Sequence, residues 1–179
     1  MHPRLAELIG SADHTRQELL DFVGTLTPTQ LQAPGPDGAW SPSQHLAHLH
    51  LVESSSLRAL FRTLRTARAA GLAMETETSS LREALDGTGL ATGGEKRIAP
   101  DFVHPTDAPD GETLRARLAE SRAGLHAWAA EADGFALATV TFPHPALGTL
   151  NLYEWILMID HHERRHLRQL RAQVGASPA

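Results

Sequence analysis

Two histidines, His162 and His166, stand four residues apart in the stretch DHHERRHLRQL near the C-terminal end of the chain. An α-helix stacks residues at that spacing on one face, about 40° apart around the axis. Trp155 and Ile159 fall on the same face, and Arg164, Arg168 and Arg171 on the other, so the pair lies inside an apolar stripe. Imidazoles in a core are costly unless bonded. Backbone or water is the usual partner for such a pair, but two rings stacked on an apolar face call for a common one. A single metal ion supplies it, as for the helical histidine pair of zinc proteases. A third donor must then come from another helix packed alongside. The chain is thereby constrained to a helical bundle.

The stretch WSPSQHLAHLH offers that donor. His45 and His48 are three apart and share a face with Val52 and Ser55, while His50 points away. Either His45 or His48 can complete the site, and position alone does not choose. Gln169 projects beside the C-terminal pair, where it can hydrogen-bond a ligand imidazole. His161 lies about 100° from His162 and is set apart from the site. His2, His14, His104, His126 and His144 have no ligand spacing.

The helices follow from periodicity and caps. The first runs from about Pro3 to Val23, with Leu5, Leu8, Ile9, Ala12, Leu19, Leu20 and Val23 recurring mainly at three and four. Thr27-Pro28 opens a short helical turn. The second long helix starts at the Ser41 N-cap, with Pro42 first and Gln44 closing a capping box, and continues to Ala70 before Gly71. The third runs from about Glu112 to Ala132. Thr149 is read as the cap of the fourth, which runs to about Val174. The stretch FALATVTFPHPALGTLNL after the third helix reads as an extended connection, with at most a minor strand and no sheet of consequence.

From Gly71 to Gly111 the pattern weakens. Ser80 and Glu83 read as a capping box for a short helix over Leu81–Leu85, and GTGLATGG reads as loop. Ile98 and Phe102 are expected to pin this connection to the body. A connection this long either covers a pocket or is a tolerated surface insertion. The fold class is all-α: a four-helix bundle in a single domain over 1–179, with a long irregular connection between the second and third long helices.

Composition excludes several functions. There is no cysteine, so neither a disulfide framework nor a thiolate metal site is possible. The formal charge of −5 and the lack of a Lys/Arg block argue against nucleic acid as a partner. No segment reads as a signal peptide or reaches the ~20 apolar residues of a membrane span, so a soluble, cytoplasmic protein is expected. Among the carboxylates of the ligand helices, Glu53 lies about 140° from His48 and Glu163 about 100° from His162, so neither is aimed as a base. Glu75, Glu77 and Asp101 fall in the long connection and are not placed by the sequence.

The stretches WSPSQHLAHL, HPALGTLNLYEW and HHERRHLRQL, in that order and spacing, resemble the DinB/YfiT-like superfamily. Each motif is loose alone; the three together are fairly specific and span nearly the whole chain. The family's first ligand follows its tryptophan by eight residues, which carries over to His48 after Trp40. The other two carry over to His162 and His166, and the family's glutamine to Gln169. The resemblance implies a three-histidine site for a divalent metal, zinc or nickel foremost, with iron or manganese in some members. It implies a small-molecule substrate, frequent homodimers, and activities that include S-transfer and isomerisation with thiols such as bacillithiol or mycothiol. Other members are classed as hydrolases. Family membership does not fix the reaction. The reading that follows is a metal-dependent transfer of a low-molecular-weight thiol to an electrophile; a hydrolase or a non-catalytic metal sensor is the alternative.

Overall fold

The computed structural model describes residues 1–88, 90–91 and 99–175. Its long helices are α1 (Pro3–Gly24), α3 (Pro42–Ala69), α4 (Gly111–Ala132) and α5 (Leu152–Gly175), with a short α2 (Pro28–Gln32) between the first two. The expected capping box at Ser41 forms, and a second one, not read from the sequence, forms at Thr27. Thr27 Oγ1 accepts from the Gln30 amide, and Ser41 Oγ from the Gln44 amide at 3.3 Å, while each glutamine side chain accepts from its cap residue's N–H. Gly71, at φ +86°, turns the chain away after α3.

Side-chain pairings give the helix directions. Ser43 and Pro109, Glu53 and Arg122, and the Met74–Phe135 bridge align α3 and α4 in parallel. Ser11 with Asp160 and Arg16 with Glu163 do the same for α1 and α5. His45 with His166 and His48 with His162 make α3 and α5 antiparallel. The four helices stand in the cyclic order α1, α5, α3, α4. Parallel neighbours require a connection that runs back along the bundle. α4 is about 33 Å long at 1.5 Å per residue, and a chain leaving the end of α3 must travel back that far before α4 can begin. Residues 70–110 are this return crossing.

The crossing is pinned along its course. Arg4 donates to the Ser79 carbonyl at 3.0 Å and pairs with Glu75 at 3.3 Å, and Tyr153 donates to the same Glu75 carboxylate at 3.0 Å. Leu85, Leu90 and Val103 bury their side chains against the bundle. Two expectations here are corrected. Leu81–Leu85 forms turns, followed by a 3-10 turn at Asp86–Thr88; Ser80 Oγ donates to Glu7 of α1 and accepts from the Arg82 amide, not from that of Glu83. Phe102 is 67 % exposed, so Val103 does the pinning instead. Ile98 and part of GTGLATGG lie outside the described residues.

Between α4 and α5 the chain forms a small antiparallel hairpin, β1 (Thr141–His144) and β2 (Gly148–Asn151). Thr149 belongs to β2, which corrects the expected cap. Asn151 takes that role: its Oδ1 accepts from the Glu154 amide at 3.0 Å, and Glu154 Oε2 accepts from the Asn151 amide at 2.7 Å.

The core is in two parts. Leu5, Leu8, Leu60, Leu64, Leu125, Trp128 and Ile156 belong to one apolar cluster; Leu19, Leu46, Leu114, Leu118, Leu167 and Leu170 belong to the other. Between them four buried charged side chains, one from each long helix, meet: Arg16, Glu53, Arg122 and Glu163. Arg16 donates to Glu53 at 2.7 Å and to Glu163, and Arg122 donates to Glu53 at 3.0 Å and to Glu163 at 2.9 Å. The two guanidiniums and two carboxylates close a neutral ring.

Candidate metal centre

The capping box at Ser41 sets the phase of α3, so His45 and His48 emerge one turn into the helix, toward α5. His162 and His166 meet them from α5. The three Nε2 atoms of His48, His162 and His166 come together: His48 to His162 is 3.3 Å and His166 to His162 is 3.2 Å. Their donor atoms form a set that one ion can bridge. Bonds of 2.0–2.1 Å in a tetrahedral site place ligand nitrogens about 3.3–3.4 Å apart, so the spacing fits.

The protonation of the rings fits as well. His48 Nδ1 donates to the Val103 carbonyl at 2.8 Å, which leaves its Nε2 lone pair facing the other two rings. Burial, reinforced by the neighbouring His48, pushes His162 down to about 3. Burial and His162 hold His166 well below its ordinary value. Burial also lowers His48, against the opposing pull of the Val103 bond. All three are neutral imidazoles at pH 7, the form in which histidine binds a metal. His48 and His166 are buried and His162 is half-buried.

Trp40, just ahead of the cap, covers the α3 side. Its ring lies 4.9 Å from His48, 5.6 Å from His45 and 5.1 Å from His104. Beneath the histidines, His162 shares the lining of one small cavity with Leu49, Val52 and Ile159 and with Arg16, Glu53 and Glu163 of the charged ring. Both carboxylates at this cavity are engaged by Arg16 and Arg122, which occupies them as ion-pair partners. For Glu53 burial raises the carboxyl, but Arg16, Arg122 and Ser121 outweigh it and hold it below the usual range. For Glu163 burial wins over the same two arginines and pushes it up.

Of the two candidates on α3, His48 joins the pair. His45 lies behind it, with its Nδ1 2.8 Å from His166 Nδ1. Gln169 is exposed, and the contact expected of it is made by His45, which corrects that expectation. His50 contacts Ser54 on the outer side of α3. His161 is buried on another face of α5, next to Asp160 and near Asp86. His144 packs 4.9 Å from Trp155, and its Nδ1 accepts from the Ala146 and Leu147 amides. The Val103 carbonyl and the edge-on contact of His104 with Trp40 were not legible in the sequence, because a backbone acceptor within an irregular crossing leaves no residue signature. His45 did carry a signal, its three-residue spacing from His48.

The family model of the DinB superfamily matches residues 11–170. The chain belongs to the DinB superfamily. Among DinB relatives, Bacillus subtilis YuaE, itself uncharacterized, is 29% identical over 160 residues, covering 89% of this chain and 92% of YuaE. The crystal structure of TT2238, a four-helix bundle protein, superposes with a TM-score of 0.63 at 26% identity, over 94% of this chain and 98% of that one. YfiT from Bacillus subtilis, described as a probable metal-dependent hydrolase with an unusual four-helix bundle topology, has a TM-score of 0.57 at 17% identity. The match covers 97% of this chain and 89% of YfiT, and supports the fold alone. No described helix is long and apolar enough to cross a membrane.

Proposed function

We propose that His48, His162 and His166 hold a divalent metal ion, zinc or nickel foremost, and that the protein transfers a low-molecular-weight thiol to an electrophilic small molecule. The observation that carries this reading is the donor set: three neutral imidazoles converge while the nearby Glu53 and Glu163 are locked to arginines. An ion so held supplies Lewis-acid activation, lowering the pKa of a thiol or a water. Val103 keeps the His48 proton on Nδ1, and Trp40 shields the α3 side of the rings from water. Neither Glu53 nor Glu163 is free to take a proton from a hydrolytic water. A thiol ionises more readily than water and depends less on such a base. The chain has no cysteine, so the sulfur must come from a cosubstrate.

Hydrolysis is the second reading, and one residue favours it. Asp101 is exposed and lies two positions before Val103, where the crossing reaches the site. Glu75, by contrast, is committed to Arg4 and Tyr153. The deciding experiment incubates metal-loaded protein with a bacterial thiol and a soft electrophile, and in parallel with esters and amides alone. Thiol consumption that survives Asp101→Asn and vanishes in His166→Ala supports transfer. Ester or amide turnover without thiol, lost in Asp101→Asn, decides for the hydrolase. Metal uptake with neither activity favours a sensor.

A further inference from the structure

We infer that His45 is a positioning residue of the metal centre: its Nδ1 accepts the Nδ1–H of His166 and holds that ring with Nε2 toward the ion. The inference rests on the metal reading above. With Nε2 on a metal, a neutral His166 must carry its proton on Nδ1, and a buried N–H without an acceptor costs about 1–3 kcal/mol. His45 Nδ1 stands 2.8 Å away, with ring centroids 5.0 Å apart and planes inclined at 59°. The acceptor role sends the His45 proton to its Nε2, which fixes the tautomers of both rings. It also keeps His45 from being a fourth ligand through Nδ1, since that atom faces His166 Nδ1 and not the three converging Nε2 atoms.

The other polar groups of α5 that might serve are committed elsewhere. Gln169 is exposed, Glu163 belongs to the charged ring, and Asp160 accepts from Ser11, Thr15 and Arg164. A ligand histidine commonly leans on a carboxylate, a backbone carbonyl or water. Here His48 leans on a carbonyl and His166 on a neutral imidazole, so neither support subtracts from the charge of the ion. A site built this way favours anionic ligands, thiolates and carboxylate-bearing substrates among them.

The test is Co²⁺ titration of the metal-free full-length protein, read by visible absorption and by competition with a chelator, with helix content as the folding control. His45→Asn places an amide oxygen on Cγ where Nδ1 stood and keeps the acceptor; His45→Leu keeps bulk and loses it. The Leu variant should bind Co²⁺ about 10–100-fold more weakly, with an altered absorption band, and the Asn variant within about threefold of wild type. Wild-type affinity in the Leu variant, or an equal loss in the Asn variant, overturns the inference. If the Leu variant does not fold, the Asn variant decides alone: retained affinity supports the role and lost affinity overturns it. A wild-type protein that takes up no Co²⁺ overturns the metal reading and this inference together, whereas wild-type uptake with an unaffected Leu variant overturns this inference only.

Discussion

His48 Nδ1 donates to the carbonyl of Val103 at 2.8 Å, a bond that spans 55 positions of sequence. Val103 lies in the last third of the return crossing imposed by the parallel setting of α3 and α4. One histidine of the centre is thus oriented by the segment that carries the least regular structure in the chain.

His48→Ala, His162→Ala and His166→Ala should each lose stoichiometric metal, with affinity falling by more than about 100-fold for a site left with two imidazoles. His50→Ala and His161→Ala should keep it, because one ring faces Ser54 and the other a different side of α5. Metal analysis after dialysis reads the result. Equal loss in the His161 variant would contradict the convergence of the three Nε2 atoms.

Acid should weaken the metal-free protein well before its carboxylates titrate. Burial lowers His45 to about 4 and His162 to about 3, both below the ordinary value of 6.5 kept in the unfolded chain. The unfolded state therefore takes up protons that the folded state refuses. The stabilisation is complete above pH 6.5 and is lost as pH falls from there toward 4. For His45 alone the loss between pH 6.5 and 5 is up to about 2 kcal/mol. Urea midpoints of the metal-free protein at pH 7 and pH 5 check this, and identical midpoints would refute it.

Removing one member of the charged ring should be costly. Glu53→Gln leaves Arg16 and Arg122 facing a single buried carboxylate, for an expected loss of about 3–5 kcal/mol. Adding Arg122→Met to Glu53→Gln restores neutrality and should recover part of that loss. Denaturant unfolding of both variants gives the coupling directly; strict additivity would mean the ring is not one unit.

Arg4→Ala should free the first half of the crossing and spare its end. Arg4 ties down Ser79 and Glu75, whereas Val103 is held by its own burial beside α3. Limited proteolysis should show faster cleavage around residues 76–84, while Co²⁺ affinity stays within about twofold of wild type. A matching fall in affinity would mean that the crossing moves as one piece.

The helices and the meeting of His162 and His166 with an α3 histidine were readable because periodicity and caps are local properties. Ser41, Pro42 and Gln44 fixed the start of α3 to the residue, and with it the facing of His48. Thr149 misled because threonine suits a cap and a strand equally, and the pairing of β1 with β2 claimed it. Ser80 misled because its oxygen accepts from the amide two residues on, that of Arg82, which closes a turn and starts no helix. Above all, helix direction is a long-range property. Nothing in residues 70–110 announces that α3 and α4 run the same way, yet that fact makes the segment cross back along the bundle, where Val103 meets His48.

The ring of Arg16, Glu53, Arg122 and Glu163 acts as a bulkhead. Oily side chains on its two sides do not mix, so a vacancy opened at Leu5 has no packed route to Leu118. Damage in either compartment is expected to combine with damage in the other as a simple sum. The histidines straddle α3 and α5 beside this layer. Drift can therefore accumulate in the far compartment, around Leu60 and Trp128, while the spacing of three imidazole nitrogens is held still.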